Sequence, residues 1–156
     1  MSEPERKPSD RLRELGLALP GLPAPAGKYL PGVRSGNLVF VSGQTPTRDG
    51  RLVMAGYVGR EITLEQAKEG ARLAALNGLA QLAAVIGSLD AVRRIVRLTG
   101  YVRSAPGFGD QPAVVNGASE LLIAVFGDGG QHARSSIGVA ELPGGAPVEV
   151  ELVVEV

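Results

Sequence analysis

The sequence predicts a single α+β domain, and three observations predict it. Alternating apolar runs read as strands near both ends, two longer segments carry helix boundaries, and the order is strands, helix, strand, helix, two strands. At 156 residues the chain is long enough to bury a proper core. Hydrophobic residues make up 44% and aromatic residues only 4%, so that core must be aliphatic and alanine-rich.

Residues Met1–Ser9 are polar and read as a loose lead-in. Asp10 is placed to cap a short helix through Leu15, with Leu12 and Leu15 as an apolar pair and Gly16 as the stop. From Leu19 to Gly27 proline is too frequent for a helix or a central strand, so the segment reads as an extended tether laid over the domain. Residues 1–26 are thus a helix and tether packed on the domain of residues 27–156. Tyr29–Val33 and Leu38–Ser42 read as strands joined by Arg34-Ser35-Gly36-Asn37. Ser42-Gly43 ends the second, where a missing side chain lets a ligand approach the backbone.

Arg48–Arg51 reads as a turn and Leu52–Tyr57 as a short strand. Thr63-Leu64-Glu65-Gln66 has capping-box spacing and opens the longest helix, to about Ile86, with Gly87 beyond its end. Its small residues, Gly70, Ala71, Ala74, Ala75, Gly78 and Ala80, allow close approach to a sheet. Val92–Val102 reads as a long strand. Pro112 to Phe126 reads as a second helix closed by Gly127-Asp128-Gly129-Gly130. That glycine run follows a helix instead of opening one, so it is no phosphate cradle.

The stretch His132–Glu151 reads as a β-hairpin around Pro143-Gly144-Gly145-Ala146-Pro147. Val148, Val150, Leu152 and Val154 alternate with Glu149, Glu151 and Glu155, which separates a core face from an acidic one. A loop centred between Gly144 and Gly145 gives cross-strand partners an odd sum. Arg134 and Glu149 then share the face the core does not need, with Ser136 between them. A forked cation, an acid and small residues that leave room suit a carboxylate-bearing metabolite.

Composition excludes several functions. Lys and Arg (16) balance Asp and Glu (16), which leaves no electrostatic footprint for nucleic acid. Cysteine is absent, so disulfides, thiol catalysis and Cys-based metal sites are excluded, and a lone His132 excludes a multi-imidazole site within one chain. His132 beside Ser135 and Ser136 does not make a serine-hydrolase pair, because strand neighbours face opposite ways. No apolar run approaches the ~18 residues of a spanning helix, and the N-terminus lacks a signal peptide's apolar core. A soluble, cytoplasmic protein with no membrane partner is expected.

Several motifs occur in order: Gly27-x-Tyr29, Ser42-Gly43-Gln44-x-Pro46, Val115-Asn116, Ala133-Arg134-Ser135, Leu142-Pro143 and Val148-Glu149-Val150-Glu151. Together they resemble the YjgF family, also called RidA, the reactive-intermediate deaminases. The resemblance covers Ala26 to the C-terminus. The N-terminal helix and tether look like those of a longer subgroup. The resemblance implies a chorismate-mutase-like α+β fold, with a mixed sheet, two helices on one face, and a homotrimer with clefts between subunits.

It also implies hydrolysis of 2-enamine and 2-imine acids to 2-oxo acids and ammonia, with no cofactor. By similarity, Arg134 grips the substrate carboxylate and Glu149 orients or activates water. Backbone N–H groups near Gly43 and Ser136 help hold the carboxylate, while Tyr29, Ser42 and Asn116 line the pocket. The sequence departs from the family pattern at Lys28, where Pro is common, at His132, also a usual Pro, and at Ser136, often Cys. Gly117-Ala118-Ser119 replaces larger groups, which leaves the substrate's side chain open. A trimeric binding or regulatory protein for small carboxylates is the alternative, and an endoribonuclease ranks last.

Overall fold

In the computed structural model, residues 5–22, 25 and 27–156 are described. A helix α1 (Pro8–Glu14) leads to strands β1 (Gly32–Ser35), β2 (Leu38–Gln44), β3 (Thr47–Arg48) and β4 (Arg51–Leu52). Helix α2 (Leu64–Ile86), strand β5 (Arg94–Arg103), helix α3 (Gln111–Phe126), strand β6 (Ala133–Val139) and strand β7 (Val148–Glu155) complete the chain. Five strands form one sheet in the order β1-β2-β7-β5-β6, and β3 and β4 form a separate ribbon. Only the β5–β6 pair is parallel, with α3 as its crossover, so the sheet is mixed as expected.

Both long helices cover one face of this sheet, and small residues set how closely. Thr63 Oγ1 accepts from the Gln66 N–H while the Gln66 side chain accepts from the Thr63 N–H, which starts α2 where the sequence predicts. Gly70 and Gly78 lie against Val148 and Leu152 of β7, where a β-carbon would already be in van der Waals contact at 3.4 Å, so the helix sits close on the sheet. Gly117 of α3 packs directly on the Lys68 backbone carbonyl of α2. The covered sheet face carries Val39, Val41, Leu98, Val102, Val148, Val150, Leu152 and Val154, all buried. Among the described residues no helix covers the opposite face, which exposes Phe40 (48%), Val33 (48%) and Ile137 (45%) beside Glu149 and Glu151.

The predicted C-terminal hairpin does not form. β5 lies between β6 and β7, in parallel register with the first and antiparallel register with the second. Leu98 aligns with both Arg134 and Leu152, whereas Tyr101 aligns with both Ile137 and Glu149. Arg134 therefore lies on the helix-covered face and Glu149 on the open one, contrary to the shared face that hairpin parity predicts. Ile137 likewise turns away from the core. The Gly/Pro loop reads locally like a hairpin turn, but β5 offers both strands a partner already fixed by α3.

Smaller differences have local causes. Lys7, not Asp10, occupies the N-cap of α1, because Pro8 at the first helical position needs no N–H acceptor. Ser9 instead donates from its backbone and hydroxyl to the Asp90 carboxylate, at 2.9 and 2.8 Å. Leu12 is buried against the main body, but Leu15 is 42% exposed, so they do not act as a pair. The first strand begins at Gly32, not Tyr29. The strand expected over Leu52–Tyr57 stops at Leu52, and the Gly56 N–H bonds the Gly145 carbonyl instead of a ladder. Asp49 (φ 53°) and Gly50 (φ 76°) form the tight turn between β3 and β4. Within the lead-in and tether, Met1–Pro4, Pro23, Ala24 and Ala26 lie outside the described residues.

Candidate functional site

Arg134 stands on β6 and reaches back to α3. Its Nη1 donates to Asn116 Oδ1 at 2.7 Å and to Ser119 Oγ at 3.1 Å. Asn116 and Ser119 are three residues apart on α3, hence on one helix face. Among the described residues no carboxylate lies within 4.0 Å of Arg134. Among them its charge has no direct partner, and the Nε–Nη2 edge, the side suited to a carboxylate, has no protein acceptor. Ser136, two residues along the same strand face, has a buried Oγ with no hydrogen-bond partner among the described residues.

His132 completes this group. Its Nδ1 lies 2.6 Å from the Gly130 carbonyl oxygen and its Nε2 lies 2.9 Å from Ser119 Oγ. A carbonyl can only accept, so Nδ1 carries the proton. In the neutral ring Nε2 then accepts from the Ser119 hydroxyl, whose oxygen accepts from Arg134.

Glu149 belongs to a different cleft, of about 440 Å³, lined by Tyr29, Gly43, Thr45, Gln81, Pro143 and Glu149 among others. A β-carbon on Gly43 would lie 2.9 Å from Glu149 Cδ and 3.0 Å from Oε1, so the glycine makes the room the carboxyl occupies. Burial first, and then the Glu151 carboxylate, push the Glu149 carboxyl above the usual carboxylate range. Glu151 itself accepts a hydrogen bond from the Tyr101 hydroxyl at 2.7 Å, and that bond, with burial, pushes Tyr101 up to about 12. Tyr29 is 51% exposed at the cleft, its ring folded against Gly27, which gives Gly27-x-Tyr29 a physical basis. Ser42 does not line the cleft; its hydroxyl donates to the Leu30 carbonyl at 2.7 Å and so tethers the segment carrying Tyr29.

Within one chain, the predicted residues thus fall into two groups. Arg134, Asn116 and Ser136 gather at β6 and α3, while Tyr29, Gly43 and Glu149 gather at β2 and β7. Sequence reasoning missed the linking roles of Ser119 and His132, and it missed Asn77 and Gln81. Asn77 donates from Nδ2 to the Thr45 and Thr47 carbonyls at 3.1 and 3.0 Å, holding the loop beside the Glu149 cleft. The available signal was polarity out of place. Asn77 and Gln81 lie four residues apart on a helix otherwise buried through alanine, glycine and leucine.

Comparison with known proteins agrees with the fold. The family described as "YjgF/chorismate mutase-like, putative endoribonuclease" matches residues 9–155. The chain belongs to the YjgF family. Among its relatives, the Trypanosoma cruzi protein TCP17 is 45% identical, over 92% of this chain and 91% of its own. A 2-iminobutanoate/2-iminopropanoate deaminase from Dermatophagoides farinae is 29% identical, over 88% of this chain and 93% of its own. A crystal structure from Shewanella oneidensis, described as that of "a putative endoribonuclease", superposes with a TM-score of 0.93 at 33% identity. That match covers 97% of this chain and 100% of the other. Among the described residues no helix is long and apolar enough to cross a membrane.

Proposed function

We propose that this YjgF protein hydrolyses reactive 2-imino and 2-enamino acids to 2-oxo acids and ammonia, in clefts between the subunits of a homotrimer. One observation carries the reading. Arg134 is held by two neutral acceptors, Asn116 and Ser119, and no acid among the described residues pairs with it, which supports an anion from outside the chain as its partner. Arg134 is half-buried, and its two contacts from α3 fix the guanidinium without neutralising it. The named deaminase among the relatives supports the reaction class. The separation of Arg134 from Glu149 on opposite sheet faces supports a cleft shared between copies, since neither group alone makes a site.

In this reading the carboxylate lies along the Nε–Nη2 edge of Arg134. Two charge-assisted bonds at ~1.5 kcal/mol each supply ~3 kcal/mol, roughly a hundredfold. That clamp places the electrophilic iminium carbon against the Glu149 cleft. Glu149, whose burial raises its basicity, takes a proton from water as the oxygen bonds to carbon. The resulting carbinolamine takes that proton back on nitrogen, the C–N bond breaks as ammonia leaves with its electron pair, and the hydroxyl gives its proton to the freed Glu149 carboxylate. The new carbonyl belongs to the 2-oxo acid.

The test couples an amino-acid oxidase to the protein and follows loss of the imine, with the spontaneous hydrolysis subtracted. Arg134→Ala should slow the reaction roughly a hundredfold, and Arg134→Lys should not restore it, since lysine offers a point charge without a planar fork. Unchanged hydrolysis and unchanged 2-oxo acid binding in Arg134→Ala would overturn the site. If the wild type only matches the spontaneous rate while binding 2-oxo acids, the protein is a carboxylate binder, not an enzyme.

A further inference from the structure

We infer that His132 and Ser119 are positioning residues that fix which edge of the Arg134 guanidinium meets the substrate carboxylate. The inference rests on the clamp role given above. It starts from a chain of hydrogen bonds that runs one way when the His132 ring is neutral. Arg134 Nη1 donates to Ser119 Oγ, Ser119 donates to His132 Nε2, and His132 Nδ1 donates to the Gly130 carbonyl.

Each link depends on the next. An arginine on a strand can present either its Nη1–Nη2 end or its Nε–Nη2 side to a ligand. Occupying both Nη1 hydrogens, one by Asn116 and one by Ser119, leaves only the Nε–Nη2 side. Ser119 can serve as that second acceptor steadily only if its own single proton points elsewhere. His132 Nε2 takes it, and Nε2 is free to accept only because Gly130 holds the ring proton on Nδ1. The Gly130 carbonyl is itself fixed, because the glycine packs on the Leu122 backbone of α3 without room for a β-carbon. The chain is therefore anchored at both ends on α3: at Asn116 and Ser119, and through Gly130 against Leu122.

Every partner in it is neutral at its contact with Arg134, so none competes for the charge. A carboxylate in Ser119's place would hold Arg134 as firmly but would cancel the field the substrate needs. The geometry thus reconciles two demands, a rigid cation and an unpaired one. Because the clamp grips the carboxylate alike before and during reaction, loosening it should raise KM and leave kcat nearly unchanged.

His132 is the only histidine in the chain, so its imidazole nitrogens give an unambiguous NMR signal. The neutral ring should carry its proton on Nδ1, against the Nε2–H form that free imidazole favours in water. His132→Ala should weaken 2-oxo acid binding about five- to tenfold, the loss of one neutral hydrogen bond, with the same rise in KM. His132→Gln should recover most of it, since Gln Oε1 can accept from Ser119; thermal melts check that both variants fold. In an Arg134→Ala background, His132→Ala should have no further effect. An Nε2–H tautomer, or additive losses in the double variant, would overturn the inference. Wild-type affinity in His132→Ala alongside a loss in Arg134→Ala sinks this inference and leaves the clamp. Wild-type affinity in Arg134→Ala alone sinks the clamp and this inference with it.

Discussion

The contact between Gly43 and Glu149 gives the most direct test of the water-activating carboxylate. In Gly43→Ala a new methyl would sit 2.9 Å from Glu149 Cδ, 3.0 Å from Oε1 and 3.2 Å from Cγ. Ordinary contact between carbon atoms is about 3.5–4.0 Å, so the carboxyl must withdraw by about 0.5–1 Å. The displaced atoms end a flexible side chain and Gly43 is not in the left-handed region, so the fold can absorb the change. Alanine also lowers the entropy of the unfolded chain by about 0.4–1 kcal/mol, which offsets the crowding. Stability should stay within about 1 kcal/mol of wild type. A misplacement near 1 Å at a reacting group costs about a hundredfold in turnover. The assay is background-subtracted imine hydrolysis alongside a thermal melt and calorimetric 2-oxo acid binding. We expect kcat to fall steeply while affinity, governed by Arg134, holds. The double variant Gly43→Ala with Glu149→Asp should regain part of the loss, because the shorter acid retreats from the methyl. Wild-type kcat in Gly43→Ala would show that the position of Glu149 has no part in the chemistry.

Other outcomes follow from the same contacts. Glu149 titrates higher in the folded chain than in the unfolded one, so its contribution to stability is present at low pH and lost as pH rises through the folded value. Glu149→Gln should therefore melt higher than wild type at pH 8, with the difference closing toward pH 4, even as hydrolysis slows tenfold or more. Gly117→Ala should cost about 1–3 kcal/mol in urea unfolding, because its methyl meets the Lys68 backbone, whereas Gly109→Ala, with open space around it, should cost little. Light scattering at micromolar concentration should give a trimer mass; a monomer would remove the shared cleft.

Much of this fold is legible from local signals. The capping box at Thr63, the glycine stops at Gly87 and Gly127, and the alternation from Val148 to Glu155 each report a constraint acting within one turn or one strand. What fails is the pairing of β6 with β7. Two strands joined by a Gly/Pro loop look self-sufficient, and nothing in residues 132–151 reveals that β5, thirty or more positions earlier, will lie between them. The error in facing follows from that one, since parity through a turn says nothing about strands that do not touch. The candidate residues are each legible in their own motif, but sheet order decides that Arg134, Asn116 and Ser136 fall together and Tyr29, Gly43 and Glu149 elsewhere, with Ser42 outside both groups. Ser119 was legible only as an oddity, a small polar residue where bulk is usual, and its purpose appears once His132 and Arg134 are placed on either side of it.

The two halves also differ in how far apart in the chain their parts begin. Arg134, Asn116, Ser119 and His132 all come from the continuous run β5–α3–β6, residues 94–139. The Glu149 cleft needs Tyr29 and Gly43 from near the start to meet a strand from the very end. Closing a short loop loses less chain entropy than closing a long one, so the order of assembly is built into the topology. The group around Arg134 can take shape as a local unit, and the Glu149 cleft must wait for β7 to insert between β2 and β5. A refolding chain sampled early by pulsed hydrogen exchange should show β5–α3–β6 protected while β2 still exchanges. A chain cut short before Val148 would lack Glu149 while retaining every residue that holds the cation.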